Sequence, residues 1–279
     1  MKNYFYTLIL SSVLIVSCNN TPKKDVQINK EQPTEKTATP TFKNKGHELV
    51  YNMVQVVGNY NQLRKKHDVI YTYTYQTPDG KSDISTEKYL FDGELSYGKY
   101  TKHERTLPDL NGPFEQSYNG EQYLLKHDGK YIENETAIKR VAFNRPTNFY
   151  WFAMYQKLLD PGLIYEYIGE KDVNGKNYDI VKVSFESIND KPTDIYQLYI
   201  NKETKLADQF LFTVADFGVM ETPFLMTMEY EKIEDLLIPT KRHYKKSDWN
   251  ATVTQDPWIN VTWSNIKFNN GLTPEDFKI

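Results

Sequence analysis

Hydrophobic positions change period several times along the chain, and each change marks an element. Leu49, Met53, Val57 and Tyr60, with Val50, Val54 and Leu63 beside them, recur at helical spacing and predict one amphipathic helix over residues 47–66. Over residues 69–77 the period falls to two, with Tyr71, Tyr73 and Tyr75 on one face and Ile70, Thr72 and Thr74 on the other. Pro78-Asp79-Gly80 turns the chain, and a strand runs back over 84–91. Asp92-Gly93, Asn119-Gly120, Asp128-Gly129 and Asn174-Gly175 punctuate further short runs at 94–100, 122–126 and 130–133, as antiparallel hairpins require. Residues 146–159 carry Phe149, Tyr150, Trp151, Phe152, Met154, Tyr155 and Leu158 between Pro146 and Pro161-Gly162, which predicts a second, very apolar helix starting at Pro146.

Longer strands follow at 163–169, 178–185, 194–200, 206–214, 224–230, 238–245 and 258–268. Helices and strands do not alternate regularly, so a parallel sheet is excluded. The prediction is a mainly β (α+β) domain: one large curved antiparallel sheet or half-barrel, with the N-terminal and the internal helix covering its concave face. Alternation is clean in Phe224, Met226, Met228 and Tyr230. It slips by one in Tyr178, Ile180, Val181, Val183 and Phe185, which predicts either a bulge or a strand covered on both faces.

Ahead of this domain the pattern is different. Tyr4 to Val16 form one apolar run behind Lys2, shorter than the roughly 20 residues a membrane-spanning helix needs but suited to a signal peptide. Ile15-Val16-Ser17 then precede Cys18, the single cysteine of the 279-residue chain, in the manner of a bacterial lipobox. Residues 1–17 are therefore read as a lipoprotein signal peptide and Cys18 as the lipidated residue. Residues 18–41 are read as a disordered tether, because from Asn19 onward they hold three prolines and no aromatic residue and cannot bury enough apolar surface to offset ordering. Asn19 supplies no acidic signal for inner-membrane retention. The expected address is the bacterial envelope, at the outer membrane, with the face and the oligomeric state left open. Residues 42–279 remain as one domain.

Charged residues make up 25% and nearly cancel to a net −3, which leaves no footprint for nucleic acid. The basic runs Arg64-Lys65-Lys66-His67 and Lys241-Arg242-His243 read as a helix C-terminus and a solvated strand face. Tyrosine is abundant, with 22 copies beside 14 phenylalanines and 4 tryptophans, and strengthens the β reading.

Two hairpin strands, Tyr178-Asp179-Ile180-Val181-Lys182-Val183 and Tyr196-Gln197-Leu198-Tyr199-Ile200-Asn201 running on through Lys202-Glu203-Thr204-Lys205-Leu206, join the closing Leu272-Thr273-Pro274-Glu275-Asp276-Phe277 in carrying a resemblance. With the helix-then-meander organisation of residues 42–279, they are similar to the LolA/LolB-like superfamily of lipoprotein carriers. The leader and lone cysteine resemble those of lipoproteins from the Bacteroidetes lineage. The resemblance implies a half-open barrel with helical plugs that binds acyl chains. A lipid anchor departs from a soluble shuttle and suits an anchored acceptor or sensor better. No ligand-contacting residue of the carriers can be matched to a position in this chain.

Catalytic chemistry finds no recognisable grouping, and neither a catalytic residue nor a cofactor or metal is assigned. His47, His67, His103, His127 and His243 are scattered without metal-ligand spacing, and there is no nucleophile elbow, phosphate loop or EF-hand. Adaptable large side chains point instead to binding. Tyr71, Tyr73, Tyr75, Trp151, Tyr155, Phe210, Phe212, Phe224, Met226 and Met228 are the expected lining of a hydrophobic cavity for a lipid or the acyl part of a lipoprotein. The same stripes also read as core packed against the helices. A second functional reading is a glycan- or protein-binding surface lipoprotein with Trp258 and Trp263 as exposed platforms.

Overall fold

In the computed structural model, residues 40–187, 189 and 191–279 are described. The leader, Cys18 and the tether as far as residue 39 lie outside them.

The chain forms α1 (Lys45–Val57), α2 (Tyr60–Arg64), β1 (Asp68–Gln76), β2 (Ser82–Leu90), β3 (Leu95–His103), β4 (Phe114–Tyr118), β5 (Tyr123–His127) and β6 (Lys130–Tyr131). Next come α3 (Glu135–Lys157), β7 (Leu163–Val173), β8 (Lys176–Phe185), β9 (Ile195–Asn201), β10 (Ala207–Val214), β11 (Val219–Ile233), β12 (Leu236–Lys246) and β13 (Ile259–Phe268). Among the described residues all thirteen strands join one sheet, in the order β6-β5-β4-β3-β2-β1-β13-β12-β11-β10-β9-β8-β7, and every pairing is antiparallel. The sheet is thus two meanders joined where β1 pairs with β13.

This order fixes the place of α3. Strands β6 and β7, which flank it in sequence, are the two edges of the sheet, so the connection between them must cross the whole face. Laid flat, the eleven spacings from β5 to β7 would span about 53 Å at about 4.8 Å each. The 23 residues of α3 reach only about 34 Å at 1.5 Å per residue. Yet Ala137 and Val141 near its start pack with Leu125 of β5, and just past its end the Leu158 carbonyl accepts from the Tyr165 hydroxyl of β7 at 2.7 Å. The sheet therefore curls around the helix, as the sequence predicted.

The helix itself departs from the prediction. It starts at Glu135, eleven residues before Pro146, with the Asn134 side chain capping the Ala137 N–H at 3.0 Å and Glu135 paired to Lys139. Pro146 lies in its interior, where it has no N–H to give to the carbonyl four residues earlier. The predicted N-terminal helix is likewise two helices. Between them Gly58 has φ +92, and a Cβ there would come within 2.4 Å of Leu236 Cδ2, so only glycine lets the chain pass so close to β12. A new turn starts at once, closed by reciprocal bonds between Asn59 and Gln62.

Packing separates the interior into zones. Under the second half of α3, Met154, Tyr155 and Leu158 join α1 residues Val50, Met53 and Val57 against Val181, Val183, Leu198 and Phe210. Phe149 and Phe152 pack with Leu63, Tyr71, Tyr89, Phe91 and Trp263. On the opposite face, Tyr178, Ile180, Tyr199, Leu211 and Leu225 are covered by Trp249 and Trp258 from the β12–β13 connection. Strand β8 is thus covered on both faces, which is why its apolar phase slips.

Candidate functional site

At one end of the sheet the packing opens into a cavity of about 550 Å³. The sequence explains its position. The last residues of β1, β3, β10 and β12 and the first of β2, β11 and β13 supply its walls, and in an antiparallel order these all lie at the same sheet end. Its roof is one face of α3, with Arg140, Phe143, Asn144, Thr147, Asn148 and Trp151 at helical spacing. These side chains are mostly polar, whereas the next turns of the helix carry Phe149, Phe152 and Tyr155 into solid core.

Six of the ten expected lining residues stand on the wall: Tyr73, Tyr75, Trp151, Phe212, Phe224 and Met226. Trp151 meets Phe212 edge-on at 5.2 Å, and Phe212 stacks on Phe224 at 5.4 Å. The other four, Tyr71, Tyr155, Phe210 and Met228, are placed in filled core. Tyr71 stacks on Phe152 at 5.0 Å and shares a hydrogen bond with the Tyr89 hydroxyl at 2.9 Å, Tyr155 donates to the Met228 sulfur at 2.8 Å, and Phe210 is fully buried. Tyr71, Tyr73 and Tyr75 do share a face, but Tyr71 lies one step further under the helix. Position along the strand separates wall from core.

The wall is also less purely hydrocarbon than expected. Arg105 is held by Asp83 at 3.1 Å, lies over the Tyr75 ring at 3.7 Å, and leaves the Tyr75 hydroxyl to bond Tyr244 at 2.5 Å. Asp83, itself buried, also accepts from the Arg105 N–H at 2.9 Å and the Thr106 hydroxyl at 2.8 Å, so this corner is internally satisfied. Burial pushes the Tyr100 hydroxyl up to about 12 and raises the Asp194 carboxyl. Arg242 lies on the wall as well, buried, and burial lowers its guanidinium to about 10. That corrects its assignment to a solvated strand face: residues 242 and 244 share the inward phase of β12, while Lys241 is exposed. The Tyr244 phase was the signal that could have placed Arg242 inside.

Trp263 is a second correction. It is buried on the cavity wall and is not a surface platform, whereas Trp258 is half-buried with Lys245 over its ring at 4.2 Å. At the rim Phe217, 59% exposed at the tip of the β10–β11 turn, meets Phe143 of α3 edge-on at 4.9 Å. Among the described residues, no three of His, Cys, Asp and Glu gather where they could hold a metal ion.

No described protein family matches the sequence, and no curated protein does either. Among solved structures, the chain is similar to a DUF1329 family protein from Desulfovibrio piger, at 16% identity, TM-score 0.46, and coverage of 83% of this chain and 95% of that one. It is similar to a LolA superfamily protein from Nitrosomonas europaea at 10% identity, TM-score 0.48, and coverage of 83% and 96%. It is similar too to the Mycobacterium tuberculosis lipoprotein LppX at 10% identity, TM-score 0.31, and coverage of 81% and 97%. Among the described residues, no helix is long and apolar enough to cross a membrane.

Proposed function

We propose that the chain is an envelope lipoprotein, anchored through lipid on Cys18 at the outer membrane, that holds the acyl chain of a lipid or lipoprotein in the cavity beneath α3 and catalyses no reaction. The observation that carries this reading is the hollow itself. Protein interiors pack as densely as organic crystals, so a hollow opening at one end of the sheet marks a place where the packing gives way to room for a ligand. A cavity of about 550 Å³ lies within the roughly 300–1,000 Å³ typical of ligand sites. Its aromatic and methionine wall adapts to a chain of no fixed shape. Each methylene buried there contributes about 0.8 kcal/mol, so eight give roughly 6 kcal/mol before ordering costs. No special polar chemistry is needed for that much affinity.

Titration with the fluorescent fatty acid dansyl-undecanoate tests the reading. The wild-type chain is expected to bind it saturably. Thr147→Trp, which puts an indole on the cavity face of α3, is expected to weaken binding about ten-fold or more, the equivalent of roughly two lost methylenes. Unchanged affinity in that variant, with the fold intact by circular dichroism, would count against a ligand under α3.

A further inference from the structure

Among the described residues Arg105, Arg140, Arg145 and Arg242 face the interior or its cavity, and two of them meet a carboxylate. Arg145 pairs with Glu87 at 2.9 Å and Arg105 with Asp83 at 3.1 Å. Arg242, only 2% exposed, meets none within 4.0 Å among the described residues. Its Nε donates to the Pro239 carbonyl at 3.3 Å and its Nη2 to the Trp151 carbonyl at 2.8 Å, which leaves Nη1 with no acceptor among the described residues. The guanidinium lies 3.9 Å from the centre of the Trp263 ring, and the buried Trp263 indole N–H also has no acceptor among them. Both side chains are on the cavity wall.

Two carbonyls and the ring faces of Trp263 and Trp151 offset part of the desolvation of this guanidinium, and its free Nη1 offers a charged donor to a ligand in the hollow. We propose that Arg242 is a headgroup site, and that the cavity takes a single-chain amphiphile whose carboxylate sits on Arg242 while its hydrocarbon lies along the aromatic wall. This rests on the reading that an acyl chain occupies the cavity, and it adds the head. Burial lowers the guanidinium only to about 10, so it stays cationic at neutral pH. The other charged groups facing the cavity favour a single negative charge. Arg105 and Asp83 neutralise each other, and the two carboxylates Asp194 and Asp216 outweigh the single cation of Arg140 on the roof, which disfavours a dianion. One guanidinium with one free nitrogen suits a carboxylate better than a phosphate.

Native mass spectrometry of the full-length chain in detergent, with dodecanoate, dodecyl phosphate and dodecanol as equimolar competing probes, tests the inference. Wild-type protein is expected to take up dodecanoate over dodecanol by about ten-fold or more, as a charge-assisted bond gives. Dodecyl phosphate should rank below dodecanoate. Arg242→Met should bring the carboxylate-to-alcohol ratio near one while dodecanol still binds, and Arg242→Lys, which keeps the charge, should retain part of the preference. Equal uptake by wild-type protein, or a preference that survives Arg242→Met, overturns the headgroup site and leaves the acyl cavity standing. Preference for the phosphate overturns the carboxylate assignment. Uptake of none of the three overturns the cavity reading together with the inference. If Arg242→Met does not fold, the wild-type ratio and the Arg242→Lys variant decide.

Discussion

Replacing Arg145 with methionine is expected to destabilise the domain by about 3–5 kcal/mol, the cost of leaving a buried charge without its partner. Arg145 and Glu87 are both fully buried, and Glu87 also accepts from the Ser85 hydroxyl at 2.6 Å and the Tyr89 hydroxyl at 3.0 Å. Arg145 Nη2 adds a bond to the Tyr100 hydroxyl at 3.3 Å. Gly98 of β3 makes the space, since a Cβ there would lie 2.5 Å from Arg145 Nη1 and 2.8 Å from a Glu87 oxygen. The pair ties the first half of α3 to β2 and β3 beside the cavity. Methionine leaves the Glu87 carboxylate in low dielectric, whereas the double variant Glu87→Leu/Arg145→Met removes both charges and should recover most of the loss. Urea unfolding of the two variants at neutral pH checks this. A single variant that loses under about 1 kcal/mol would show that the pair does not hold the helix. The same exchange at Arg242 orphans no anion, which makes it a usable binding variant.

Phe152→Ala should cost a similar amount, about 3–5 kcal/mol, because a large ring leaves a cavity that the surroundings fill only in part. The Phe152 side chain is 1% exposed and lies where α3 meets the joint between the two meanders. Its ring is 5.0 Å from Tyr71 of β1, 5.7 Å from Tyr89 of β2 and 5.3 Å from Trp263 of β13. Chemical denaturation again gives the number, and a loss below about 1 kcal/mol would mean that this region collapses around the gap.

Where outward and inward residues differ in chemistry, the fold was legible. The alternation over 69–77 located β1 to within a residue at each end, and the turn sequences marked five of the connections between neighbouring strands. The first half of α3 was not legible for a physical reason. Its inward positions hold Arg140, Asn144 and Arg145, which serve a cavity roof and an ion pair, and Ala137 and Val141 alone do not extend into the apolar periodicity that marks a helix. Strand β4 was missed on similar grounds, because its buried Gln116 and Ser117 sit where apolar residues would have announced it. Of the site, the aromatic stripes were visible, but not where along each strand filled core gives way to hollow. That boundary is set by how far α3 reaches, a tertiary fact that no local pattern carries. Arg242 was hidden by its exposed neighbour Lys241.

The most direct test of the central claim uses the four tryptophans. Trp151 and Trp263 line the cavity, and Trp249 and Trp258 pack on the opposite face of the sheet. In full-length protein carrying Trp249→Phe and Trp258→Phe, saturating 2-bromododecanoate is expected to quench most of the tryptophan emission, since a carboxylate on Arg242 sets the C2 bromine beside Trp263 and Trp151, whose rings lie 3.9 and 5.6 Å from that guanidinium. In the reciprocal protein, Trp151→Phe/Trp263→Phe, the emission should be nearly unchanged. Quenching confined to the reciprocal protein, or absent from both, would contradict an acyl chain beneath α3.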